Sequence, residues 1–279
     1  MVKNKNIIIE NPETKPFLAD AFYPENAENL PLLIFVHGYK GYKDWGAWEL
    51  MGETFAKAGF YFVKFNFSHN GTTVEQPEDF ADLEAFGLDN YTKELSDLGC
   101  VIDYFSAQPQ VDAQEIALLG HSRGGGIAII KSFEDERINH LITLAGVDSL
   151  NRFPKNEALK DWEEEGVYYV LNGRTKQQMP HYYQFYEDFK ANENRFDVEA
   201  AMEMVKAKIL IIHGTEDETV DVNAAQFLHL WNGSAKKILI ENANNTFGAQ
   251  EPWEAPQLPA NLELAVEEII AFFNEDAAS

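Results

Sequence analysis

Cysteine is almost absent from this sequence. The single Cys100 leaves no intrachain disulfide framework, and it sits in an apolar-periodic stretch with Leu95, Leu98, Val101, Ile102 and Phe105, which makes it an expected core residue. Basic residues are scarce as well. Lys and Arg number 22 against 46 Asp and Glu, a formal net charge of −24. Such a surface repels nucleic acid and anionic membrane, so neither is an expected partner, and high solubility is its plainest meaning. No uninterrupted apolar run approaches the ~18 residues of a membrane span. Residues 1–9 carry Lys3 and Lys5 but an apolar run of only three residues, too short for a signal-peptide core. Cytoplasmic residence is the resulting expectation. No Cys/His cluster has metal-ligand spacing and no glycine-rich Walker loop is present, so neither a metal nor a cofactor is expected.

What is present is an ordinary globular balance, 45% hydrophobic and 24% charged, which excludes disorder and collagen. Short β-type runs alternate with helical-period segments, the pattern of a mainly parallel sheet with helices on both faces. Residues 7–10 and 17–22 are expected to open the sheet as strands, with an antiparallel edge. Buried strands are expected at 32–36, 60–65, 115–119, 138–145, 208–212 and 237–240. Helices are expected at 48–58, 90–106, from 122 to about 133, at 223–231 and at 262–273. Between 148 and 206 the alternation breaks. No buried strand pair is evident there, and acidic helical stretches are followed by an aromatic run at 182–189. The expectation is one domain over 1–279, its core built from 1–147 and 207–279, with 148–206 inserted over it.

Gly120-His121-Ser122-Arg123-Gly124 follows a buried strand and precedes a helical stretch. A serine on so tight a turn needs small neighbours, and the helix N-terminus behind it offers free N–H groups to a developing oxyanion. Ser122 is therefore the candidate nucleophile. His37-Gly38-Tyr39-Lys40-Gly41 follows an earlier strand, so the backbone N–H groups of Tyr39 and Arg123 are the candidate oxyanion donors. Asp217, within the loop 213–220, is the candidate acid that orients an imidazole. His37 is more plausible as a structural hydrogen-bonding residue than as a base.

These three motifs, His-Gly-x-x-Gly at 37–41, Gly-x-Ser-x-Gly at 120–124 and His-Gly-x-x-Asp-x-x-Val at 213–220, stand in an order that resembles the α/β-hydrolase family over nearly the whole chain. The last motif is similar to those of dienelactone-hydrolase-like and serine-aminopeptidase-like members. The resemblance implies an α/β-hydrolase fold with a helical lid at 148–206. It also implies serine hydrolysis of a small ester, amide or peptide. It further implies a catalytic histidine in the loop after the last strand, just before Thr246-Phe247, where this chain has Asn245.

An amide has no accessible basic nitrogen near neutral pH and cannot take the serine proton. Three readings stay open: a deliberate His-to-Asn change made to trap a substrate or inactivate the protein, a natural non-catalytic member that binds a small molecule, or a base supplied by another histidine, with His69 and His181 the free candidates. In the insertion, Met179 and the helical-spaced face of Tyr182, Phe185, Tyr186 and Phe189 form a candidate acyl pocket, although plain packing of a lid helix explains the same spacing. Arg174 and Lys176 are rare cations that either hold a substrate carboxylate or neutralise neighbouring acids.

Overall fold

The computed structural model describes residues 1–277. Strands β1 (Val2–Ile9), β2 (Phe17–Tyr23) and β3 (Leu30–Val36) come first, then α1 (Trp48–Lys57), β4 (Tyr61–Phe65), α2 (Leu83–Gly87) and α3 (Tyr91–Ser106). β5 (Val111–His121), α4 (Arg123–Glu134) and β6 (Ile138–Leu144) follow. Next lie α5 (Glu157–Glu165), β7 (Val167–Leu171), β8 (Gln178–Tyr182), α6 (Gln184–Ala191) and α7 (Val198–Met204), and then β9 (Lys208–Gly214), α8 (Asn223–Trp231), β10 (Lys236–Ile240) and α9 (Ala260–Ala277).

Among the described residues eight strands form one sheet in the order β1-β2-β4-β3-β5-β6-β9-β10. β2 runs antiparallel to both β1 and β4, and every other neighbouring pair is parallel. The continuous apolar runs follow from two-sided burial. In β3, Leu32, Ile34 and Val36 enter the core under α3, α4, α7 and α8, while Leu33 and Phe35 enter the core under α1 and α9. The strand ends at Val36, His121 and Gly214 thus fall at the same, C-terminal end of the parallel strands, where the loops gather.

A buried ionic cluster fastens the loop after β3 to the sheet. Asp20 of β2 receives Lys43 Nζ at 3.0 Å and Lys64 Nζ of β4 at 2.9 Å, and both lysines also pair with Asp44. Two positive and two negative charges balance, which is the condition for burying them at all. Lys43 N–H donates to Asn66 Oδ1 at 2.6 Å, completing the attachment.

The segment between β6 and β9 differs from its sequence reading. It holds an antiparallel hairpin, β7 with β8, as well as helices. The run Val167-Tyr-Tyr-Val-Leu171 is β-branched and aromatic, and Asn172-Gly173 follows it, a strand-and-turn signature. Tyr182 ends β8 and is not on the helix that carries Phe185 and Phe189, because α6 begins only at Gln184. Helix α2, capped by the Asp82 side chain accepting from Ala85 N–H, lies in a stretch to which the sequence reading assigned no element. Cys100 is half-buried at the margin of the core instead of within it.

Candidate active site

Ser122 stands between β5 and α4 with φ 54° and ψ −121°. A non-glycine residue held there costs on the order of 1–3 kcal/mol and persists only where its surroundings impose it. The surroundings are tight. A Cβ on Gly124 would lie 2.2 Å from the Val36 carbonyl oxygen, and one on Gly120 would lie 2.4 Å from the Gly124 carbonyl oxygen. Ser122 N–H donates to Leu144 O at 3.0 Å, which locks the turn to β6. No hydrogen bond to Ser122 Oγ is made among the described residues. Arg123 N–H opens α4, where an intrahelical partner is lacking by construction. Gly38 packs so close that a Cβ on it would sit 3.0 Å from Ser122 Cβ, so the loop bearing Tyr39 N–H borders the serine.

Asp217 lies on the loop after β9. Its Oδ1 accepts the N–H groups of Thr219 and Val220, both at 2.8 Å. Its Oδ2 accepts Asn245 Nδ2–H at 2.9 Å and lies 3.3 Å from His213 Nε2. Burial opposes the charge, but hydrogen bonds from His213, Val220, Asn245 and Thr219 outweigh it and hold the carboxyl below its ordinary pKa. Asn245 thus makes the contact to the acid that an imidazole N–H makes in a serine triad. Its backbone carbonyl accepts His121 Nε2 at 2.9 Å, joining the loop after β10 to the turn at Ser122.

The other histidines are spoken for. His37 Nδ1 bonds Gly38 O at 2.9 Å and Nε2 accepts Phe67 N–H at 3.3 Å, and burial lowers its pKa to about 3. His69 bonds Ser68 Oγ and lines neither cavity at Ser122. His181 does reach the serine cavity, but its Nδ1 bonds Met179 O at 3.1 Å and its Nε2 lies 2.8 Å from Tyr39 Oη. Burial and the Arg123 charge lower its pKa to about 4, leaving a poor base.

Two cavities meet at Ser122. The first, about 280 Å³, is walled by Tyr91, Phe153, Tyr168 and Phe185. The second, about 420 Å³, is bordered by Trp45, Trp48, Asn245 and Thr246. Under the first lies Arg123, whose Nη2 donates to Asp89 Oδ2 at 3.2 Å and to Glu94. Burial, then each other's charge for Asp89, pushes both carboxyls above their usual range, despite Arg123. No three His, Cys, Asp or Glu side chains are grouped to hold a metal among the described residues.

Residues 50–239 match the prolyl oligopeptidase family. The chain belongs to that family. Its curated relatives include an uncharacterised Pseudomonas aeruginosa protein, 23% identical over 144 residues, 51% of this chain and 36% of that protein. Another is cutinase est1 of Thermobifida alba, 29% identical over 105 residues, 38% of this chain and 31% of that protein. The match therefore spans about a third of the length of each. Among solved structures, Est1E from Butyrivibrio proteoclasticus shares the fold with a TM-score of 0.72 at 18% identity, covering 99% of this chain and 100% of the other. The α/β-hydrolase GrgF from a Penicillium species shares it with a TM-score of 0.69 at 12% identity, covering all of both chains. The mostly parallel sheet flanked by helices is thus that of an α/β-hydrolase, and no helix among the described residues is long and apolar enough to cross a membrane.

In this prolyl oligopeptidase family chain the expected pocket residues are placed elsewhere. Met179 is fully buried beside Tyr42, Phe80 and Phe86. Tyr182 lies over Gly87 and its hydroxyl donates to Glu84, while Tyr186 packs on Phe153 and Trp162. None of the three lines a cavity at Ser122. The reason is phase: the hairpin turns residue 182 outward and sets α6 so that Phe185 alone of its aromatic face reaches the cavity. Tyr168, which does line it, was not singled out by sequence, and His181, which also lines it, was named only as a candidate base.

Proposed function

We propose that the chain is a serine hydrolase of a small carboxylic ester, or of an amide or peptide bond, designed around an acyl-enzyme on Ser122 and slowed by the amide at position 245. The observation that carries this reading is the 2.9 Å bond from Asn245 Nδ2 to Asp217 Oδ2, which holds an amide at the position of the base beside an ionised acid. Ser122 Oγ attacks the acyl carbon while its proton passes to a solvent water, the N–H groups of Tyr39 and Arg123 receive the oxyanion, and collapse of the adduct breaks the bond to the leaving group, which water protonates; a second water then releases the acid from Ser122. Asp217 has no imidazole to orient. Residues 148–206 act as a lid, a role supported by Tyr168, Val170, His181 and Phe185 in the cavity wall. A non-catalytic binding protein on the same scaffold is the second reading, favoured by the same amide.

Hydrolysis of short-chain p-nitrophenyl esters by the unaltered chain, Asn245→His and Ser122→Ala tests this. Loss of the triad histidine costs about a millionfold in turnover, near 8 kcal/mol at ~1.4 per decade. Fitting the larger ring costs about 1–3 kcal/mol, so Asn245→His is expected to gain roughly 10⁴–10⁵-fold. The gain must vanish when Ser122→Ala is added. An unaltered chain within tenfold of Asn245→His, and dependent on Ser122, overturns the assignment of position 245.

A further inference from the structure

The charge of this protein is distributed against its own average at Ser122. Acids outnumber bases 46 to 22, yet among the described residues no Asp or Glu lines either cavity, and four cations do. Two of those cations are already occupied. Arg123 faces Asp89 and Glu94, and Arg152 donates to Thr219 O at 3.2 Å. The other two, Lys40 and Arg174, border the second cavity together and make no ion pair among the described residues.

Both are held in place by specific backbone. Lys40 has φ 55°, left-handed and unfavourable for a side chain. Its Nζ lies 5.0 Å from the Tyr39 ring centre, and burial lowers its pKa. Arg174 rides the turn between β7 and β8. Buried Asn172 organises that turn by accepting the N–H groups of Arg174 and Thr175 through Oδ1, and Gln177 ties it to Phe80 O at 2.9 Å. The guanidinium lies over Tyr42, 5.5 Å from the ring centre. Lys40 is partly buried and Arg174 is exposed at the cavity rim; two such cations without a counter-ion are a site for an anion, and a guanidinium fork matches a carboxylate.

The cavities also differ in which side of a scissile bond they serve. In a serine triad the base returns its proton to the leaving group. The residue at that position, Asn245, borders the second cavity and not the first. We propose that the second cavity takes a leaving group bearing a carboxylate, bound between Lys40 and Arg174, while the aromatic first cavity takes the acyl chain. This rests on the serine-hydrolase reading of Ser122. A guanidinium and an ammonium together offer donors to the two oxygens of one carboxylate, so the substrate class is the ester or amide of a hydroxy or amino carboxylic acid.

The test has two arms. In the first, 3-hydroxybenzoate and its neutral isostere 3-hydroxybenzamide are titrated into the unaltered chain, following the fluorescence of Trp45 and Trp48 at the cavity. The benzoate is expected to bind at least ~10-fold tighter, as for a hydrogen bond to a charged group. Arg174→Gln and Lys40→Gln are each expected to cut that ratio at least ~3-fold. Equal affinities, no binding, or full displacement by an equal concentration of inorganic phosphate overturns the carboxylate site. In the second arm Asn245→His is given 3-acetoxybenzoate and 3-acetoxybenzamide, with the larger kcat/KM expected for the anionic ester. Cleavage of both esters without that preference keeps the hydrolase and sinks the leaving-group assignment. Cleavage of neither, with benzoate selectivity intact, removes the hydrolase reading and the leaving-group assignment while the carboxylate site stands.

Discussion

The two carboxyls beneath Arg123 make a sharp prediction about stability and pH. If both were ionised, Asp89 Oδ1 and Glu94 Oε2 would be buried without a donor, and one guanidinium would face two negative charges. A proton on Asp89, donated to Glu94, satisfies both oxygens and leaves a balanced pair with Arg123. Asp89→Asn copies that state, since an amide keeps an acceptor for Arg123 and a donor for Glu94. A raised pKa in the folded state means that the native protein holds a proton the unfolded chain has released. Stability from this group is therefore full below the ordinary carboxylate pKa and declines as pH rises above it. One extra native proton corresponds to about 1.4 kcal/mol per pH unit. Between pH 5 and pH 7 the stability of Asp89→Asn relative to the unaltered chain is thus expected to rise with pH, by up to about 2.7 kcal/mol. Urea unfolding of both proteins at pH 5, 6 and 7 measures it. Parallel stability curves would show that the two carboxyls do not share a proton, and would refute the reasoning.

The ionic cluster of Asp20, Lys43, Asp44 and Lys64 behaves oppositely. Although burial works against it, Lys64 and Lys43 hold the pKa of Asp44 at about 2, so its contribution is complete above the ordinary carboxylate pKa and is lost as pH falls towards that value, seen as an acid-unfolding limb between about pH 4 and 2. Lys64→Met strands a carboxylate in the cluster and is expected to cost about 3–5 kcal/mol in chemical denaturation. Gly124→Ala, whose methyl would meet the Val36 carbonyl at 2.2 Å, should forbid the turn at Ser122. Soluble expression with an unshifted Tm would show that α4 can move away from β3.

Much of this architecture is legible in sequence because two-sided burial leaves so simple a trace. Leu32 to Val36 or Ile209 to Ile212 can be little else than inner strands, and the glycines around Ser122 mark a place where backbone meets backbone. The hairpin of β7 and β8 is harder to read. Helical spacing of aromatics at 182, 185, 186 and 189 does not say where a helix begins, and its start at Gln184 decides which rings face inward. The cavity wall is harder still, since Tyr91, Phe153 and Tyr168 converge from distant stretches of chain through packing that no local pattern encodes. The sharing of Asp89 and Glu94 by Arg123 is likewise invisible, because α3 and α4 become neighbours only once the sheet forms.

The loops around residue 245 are joined through main chain. Asn245 offers His121 a carbonyl, and Glu216 N–H donates to Ala243 O at 3.0 Å. Neither contact depends on which side chain residue 245 carries. Asparagine and histidine codons differ by one nucleotide, so the imidazole can be lost or regained in a single mutational step without rebuilding the walls around it. A lineage carrying such a site can move between reaction and retention of the same ligand, and the scaffold keeps no record of the direction taken.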